Sequence, residues 1–138
     1  MNTIVRWGLV LVAAVGLGID AYTHFDLASQ YAFNKTSVIS EATLFRIEAV
    51  LAILVGVALF VRVNLWTVLA AFLVAAGGLA LLLLYRYVNV GKLGPIPNMY
   101  DPGWFTEKQV AAWGEGVAAA ATLALGVLVI PGRRRIRS

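Results

Sequence analysis

The sequence predicts an all-α polytopic membrane protein, a single antiparallel bundle of four transmembrane helices. Three observations carry that expectation. First, 61% of the 138 residues are hydrophobic and only 13% are charged, whereas soluble domains run at roughly 45–50% and 25%; the mean hydropathy is +0.84. Second, four continuous runs rich in Leu and Ala are each long enough for the roughly 20 residues that cross a hydrocarbon core about 30 Å thick. A membrane β-barrel would show alternating segments of about ten residues instead. Third, the basic residues sort to one side once four crossings are assumed. This composition excludes disorder, collagen and a free-standing soluble enzyme. The absence of cysteine excludes disulfides, thiolate zinc sites and thiol catalysis.

The first span covers about 4–22. It has Arg6 in front of an apolar core, as a signal peptide does, but no A-x-A-like cleavage site follows and Asp20 interrupts the region, so an uncleaved helix is expected. A medium polar loop, 26–40, leads to Ser40 and Glu41, a cap and first-turn acid for the second helix, whose span is about 44–61. Residues 62–64 form a tight hinge to the third span, 65–85. The long loop 88–105 contains GKLGPIPNMYDPGW. Its Gly-Pro, Pro-Asn and Asp-Pro-Gly steps are turn chemistry, and Met99, Tyr100 and Trp104 are too apolar for a free loop. They suit a lid on the bundle mouth or an anchor at the interface. Thr106 followed by Gln109 reads as a capping box, with Phe105 and Val110 placed for a hydrophobic staple, ahead of the fourth span at 110–130. A basic tail, 131–138, holds Arg133, Arg134, Arg135 and Arg137.

Lysines and arginines near span ends accumulate on the cytoplasmic side. Four crossings put Arg6, Arg62 and the four tail arginines on one face with no acid among them. The other face holds all seven acids with the five remaining basic residues. The expected location is therefore a bacterial cytoplasmic membrane, with both termini cytoplasmic and loops 26–40 and 88–105 outside. The net charge of +4 is a topology signal. The tail meets anionic lipid head groups of the bilayer, each arginine contributing about 1 kcal/mol there, and no nucleic-acid partner is expected.

Each span carries a stripe that is small or apolar at its inner end and polar at its outer end. Asp20 and His24, Glu48, Tyr85 with Arg86, and Glu115 all fall one to two turns below the outer interface. Ionisable groups in a span face the bundle and find partners. Asp20 and His24, four residues apart, share a face. Three readings compete for this cluster. In the structural one, Arg46 and Arg86 neutralise carboxylates and clamp the helices. In the second, the cluster is an outward-facing binding site lined by Asp20, His24, Glu48, Tyr85, Arg86 and Glu115. It would hold a metal ion through His24, Glu48 and Glu115, or a quinone or lipid head. In the third it is part of an ion path, which needs polar groups deeper in, where only Thr122 stands. No G-x-S-x-G, Walker A, Rossmann, H-E-x-x-H or C-x-x-C pattern is present, so no catalytic residue is expected, and these residues name no cofactor.

The stretch His24-Phe25-Asp26-Leu27-Ala28 with Tyr31, then Leu44-Phe45-Arg46, then the loop GPIPNMYDPGW, resembles small four-helix bacterial membrane proteins of the DoxX-like families and uncharacterised actinobacterial proteins of this size. The resemblance implies links to quinone or redox partners. From the residues themselves, the leading expectation is an accessory or assembly subunit that meets other membrane subunits or a second copy of itself. The binding site is the alternative, and a small transporter stands third.

Overall fold

The computed structural model describes the backbone of residues 2–137 and the side chains of residues 2–130; the side chains of the basic tail, Arg133, Arg134, Arg135 and Arg137, lie outside the described residues. Four helices make up the fold: α1 (Thr3–Ala28), α2 (Glu41–Val61), α3 (Leu65–Tyr87) and α4 (Thr106–Arg137). One 3-10 turn, Ser29–Tyr31, extends α1. Among the described residues there is no β-strand. All four helices are long and apolar enough to cross a membrane.

Local chemistry sets the helix starts. Asn2 accepts from the Ile4 amide at 2.8 Å, and Ser40 accepts from the Thr43 amide at 3.1 Å. Asn64 and Thr67 form a reciprocal capping box at α3, which lets a short hinge turn the chain sharply. The box expected at Thr106 is not formed. Thr106 is the first residue of α4, and the Gln109 amide donates to the Phe105 carbonyl at 3.0 Å. Lys108 explains the shift: from the first turn its Nζ donates to the carbonyls of Asp101 (2.6 Å) and Gly103 (2.8 Å), drawing the preceding chain against the helix.

α1 runs beyond the expected span end near residue 22, because Leu27 and Ala28 are still buried. The Thr23 hydroxyl is absorbed by the Ile19 carbonyl at 2.9 Å. His24 therefore sits on the helix, one turn beyond Asp20.

α1 packs against α2 and α4, and α3 packs against α2 and α4, so α1 and α3 lie across the diagonal. The start of α1 meets the end of α2, where Trp7 stacks on Phe60 with ring centroids 6.5 Å apart. Residues at helical spacing fill the middle: Val10, Ala13 and Leu17 of α1, Ala49, Ala52 and Leu59 of α2, Val68, Ala71 and Ala75 of α3, and Ala118, Ala121 and Leu125 of α4. In the half nearest residues 62–64 this filling is, among the described residues, apolar except for Thr122, whose hydroxyl donates to the Ala118 carbonyl at 2.8 Å.

The closest approach is between α1 and α4. A Cβ at Gly16 would stand 2.5 Å from the Gly114 carbonyl oxygen and 2.9 Å from the Ala118 nitrogen. A Cβ at Gly114 would stand 2.9 Å from the Gly16 carbonyl oxygen. At Gly16 the nearest atoms are backbone and cannot bend away, whereas a Cβ at Gly114 would also meet the Ile19 side chain at 2.8 Å. Gly18, on the same helix, has nothing within 4 Å of its Cβ position. Gly16→Ala should therefore destabilise the fold by about 1–3 kcal/mol through overpacking. Gly18→Ala should be neutral or slightly stabilising, since Ala favours helix over Gly. Equilibrium unfolding of the two purified variants checks this; equal stability would mean that α1 and α4 do not touch at Gly16.

Candidate binding site

Just past the Gly16–Gly114 crossing, one turn along α1 and one residue along α4, the two helices bring Asp20 and Glu115 into the interior, both with no exposed surface. His24 lies beside them. Its Nδ1 is 2.8 Å from the Asp20 carbonyl and 2.7 Å from Asp20 Oδ1. Nδ1 is thus within reach of both oxygens; the ring tautomer sets its hydrogen-bonding role, and the contact with the carboxylate is an ion pair only when the ring is protonated. Phe45 braces the ring edge-on, with centroids 5.2 Å apart. From α2, Glu48 faces Asp20. α3 supplies the space: a Cβ at Gly78 would collide with Glu115 Oε2 and lie 2.7 Å from Glu48 Oε1. Four helices thus converge, three with ionisable side chains and one with the absence of a side chain.

The partners of this cluster decide what it is. Both oxygens of Asp20, both of Glu115 and Oε1 of Glu48 are buried without a hydrogen-bond partner among the described residues. The clamp expected from Arg46 and Arg86 is not there. Arg46 is exposed and, two residues from Glu48, points to another side of α2. The Arg86 guanidinium lies over both Tyr87 (4.7 Å) and Trp104 (5.1 Å) at the bundle end, two rings that meet edge-on. Lys108 is spent on Asp101, whose Oδ2 it meets at 3.2 Å. Carboxylates facing carboxylates repel unless a proton or cation lies between them.

Above the cluster is a cavity of about 310 Å³. His24, Glu48 and Gly78 form its floor. Leu27, Leu44, Phe45, Leu81, Leu82 and Tyr85 line the walls, and Ile96, Met99 and Phe105 contribute from the 88–105 segment. Mostly apolar walls with a few convergent polar groups are the usual make-up of a small-molecule site. Asp20 and Glu115 lie behind the floor and do not line the cavity. On the outer face of the α2–α3 seam, a shallow groove of Leu51, Leu73, Val74 and Gly77 reaches the same Glu48, Gly78 and Leu81 from the side.

The roof is tied down by side chains distant in sequence. Tyr31 Oη donates to Asp101 Oδ2 at 3.0 Å, the Asp101 amide to the Tyr85 carbonyl at 3.0 Å, and Thr36 Oγ1 to the Pro95 carbonyl at 2.6 Å. Asn34 Nδ2 donates to the Asn98 carbonyl at 2.8 Å. Gly94 takes a positive φ of 59° in the turn between Leu93 and Ile96, a conformation that costs glycine nothing.

Of the residues singled out from the sequence, Asp20, His24, Glu48 and Glu115 come together, and Tyr85 and Arg86 line the cavity farther out. Of the three lid residues, Met99 lines it. Tyr100 and Trp104 do not, and Trp104 instead packs on Arg86 and Tyr87. The compact triad of ligand atoms is Asp20, His24 and Glu115, with Glu48 alongside rather than within it. Ile96, Asp101 and Phe105 fell within the loop expected to lie over the bundle mouth, whereas Gly78 and Lys108 were not singled out as site residues. Of these two, only Gly78 left a trace, as one of the small residues on the α3 stripe. No protein-family model, curated protein or solved structure matches this chain.

Proposed function

We propose that this chain is an integral protein of a bacterial cytoplasmic membrane, an antiparallel four-span bundle with both termini cytoplasmic, that binds a small lipid-soluble molecule in the cavity above His24 and Glu48. Membrane insertion is supported by the outer surface. Val15, Leu54, Leu73 and Leu123 are each more than half exposed, where a bundle in water would carry polar residues. The orientation rests on the arginine asymmetry.

The observation that carries the binding reading is the buried, unpartnered Oε1 of Glu48 at the floor of a mostly apolar cavity. Leaving such a group unsatisfied costs about 1–3 kcal/mol or more, and a ligand head recovers that energy. Glu48 can only accept when ionised and so selects a head with a hydrogen-bond donor, and apolar walls select a hydrophobic body. A quinol meets both demands, and quinone or redox partners are also what the DoxX-like resemblance implies. The α2–α3 groove supports access from the side, where a molecule dissolved in lipid would arrive. This reading displaces the structural clamp behind the accessory-subunit expectation, because a clamp needs opposite charges in contact. It also displaces transport, since the half of the bundle beyond the cluster is filled.

Because the chain has no cysteine, single substitutions report topology cleanly. Lys35→Cys should react with an impermeant maleimide from outside intact cells, and Arg62→Cys only after the membrane is opened. Labelling of both from the same side would refute the four-span orientation. A short-chain quinol titrated into the protein in nanodiscs should raise its unfolding temperature, with about 2.7 kcal/mol of stabilisation at a hundredfold excess over Kd. Leu82→Trp, which fills the cavity, and Glu48→Gln should each abolish or strongly reduce the shift. No shift in the parent protein, or an undiminished shift in both variants, would overturn the assignment.

A further inference from the structure

We infer that Asp20, His24 and Glu115 form a binding site for a divalent transition-metal ion, enclosed behind the cavity floor. A carboxylate oxygen from Asp20, one from Glu115 and a ring nitrogen of His24 all lie within 4.8 Å of one another. An ion centred among atoms so spaced sits within about 2.8 Å of each, and a modest contraction reaches the roughly 2.0–2.2 Å of metal–nitrogen and metal–oxygen bonds.

A second observation points the same way independently of that spacing. Asp20 and Glu115 are completely buried; neither oxygen of Glu115 has a hydrogen-bond partner among the described residues, and Asp20 meets His24 at 2.7 Å and Glu48, itself an acid. No lysine or arginine among the described residues forms an ion pair with either. An isolated buried carboxylate is among the costliest groups a protein can hold, so buried charges are paired or coordinate metals. A divalent cation balances these two carboxylates in charge and takes up their lone pairs.

The donor set narrows the ion. Two carboxylate oxygens and one imidazole nitrogen suit manganese, iron(II), cobalt(II) or zinc, and disfavour copper(I), which prefers sulfur. Glu48, facing Asp20 from α2, stands where it can add a fourth oxygen or accept a hydrogen bond from a metal-bound water. Gly78 is required because any side chain there would displace the Glu115 carboxylate. The inference goes beyond the proposed cavity ligand: it concerns a separate layer of the site, with His24 shared between the two.

The test uses the full chain in detergent, stripped with a chelator and titrated with cobalt(II) and, separately, manganese(II). Stoichiometric uptake with a ligand-field spectrum is expected for cobalt. Nitrogen modulation from His24 is expected in the electron spin echo of bound manganese. Asp20→Asn and Glu115→Gln, both isosteric, should each weaken binding by at least about tenfold to a hundredfold. Glu41→Gln, outside the triad, should leave it unchanged. Absence of stoichiometric uptake by the folded parent protein would overturn the proposal, as would uptake without nitrogen modulation or uptake indifferent to both triad substitutions. The parent spectra decide the matter even if a variant fails to fold. Quinol binding measured on the metal-free protein separates the two claims. Quinol binding without metal uptake overturns only the metal site, and metal uptake without quinol binding overturns only the cavity reading.

Discussion

α1 and α4 cross with backbone against backbone at Gly16 and Gly114, and the rest of the molecule is arranged around that contact. Small residues are what let helices approach closely where no water drives them together. The crossing also dictates the chemistry one turn farther on. Asp20 follows Gly16 by four residues and Glu115 follows Gly114 directly, so two acidic side chains enter the space that the close approach creates. With a larger residue at either glycine the helices would part, and the carboxylates would no longer share an interior with His24.

The bundle is consequently two devices end to end. In the half near the 62–64 hinge, alanines and a few leucines and valines interlock, and Thr122 satisfies itself on its own helix. In the other half the packing opens. Gly78 contributes no side chain, and the 88–105 segment closes the end through Asp101, which meets Lys108 and Tyr31. Three of the five acids with unsatisfied oxygens, Asp20, Glu48 and Glu115, gather at the boundary between these halves, and Glu41 and Glu107 leave one oxygen each at the end closed by residues 88–105. A polar group left without partners in such surroundings is a standing cost; here five oxygens of three acids share that condition. The concentration of the cost at one place, beside an apolar cavity, is the reason to read function there.

Much of this was legible in the sequence, for a physical reason. Continuous apolar runs announce helices without any partner being known, and the i,i+4 relation of Asp20 and His24 follows from helix geometry alone. The depth of Glu48 and Glu115 within their spans was enough to place them near the same level. What stayed hidden depends on contacts between separate segments. Arg86 was expected to neutralise an acid, but aromatic faces from Tyr87 and Trp104 hold it at the bundle end. Trp104 was expected over the site and instead packs edge-on against Tyr87, with Arg86 over both rings. Gly78 matters through what it leaves empty, which no single-residue property reveals. Lys108 looked like an ordinary first-turn lysine, and only the fold shows it gathering the carbonyls of Asp101 and Gly103 and so moving the start of α4.

The central claim is that the α1–α4 crossing holds Asp20, His24 and Glu115 around a space that belongs to a non-protein partner. A crystal structure grown from a lipid mesophase, inspected for density among those three side chains, tests it most directly. The account predicts density there that no protein atom explains, within bonding distance of Glu115 and Asp20. Finding instead an arginine or lysine in contact with both carboxylates, with no space left between them, would contradict it.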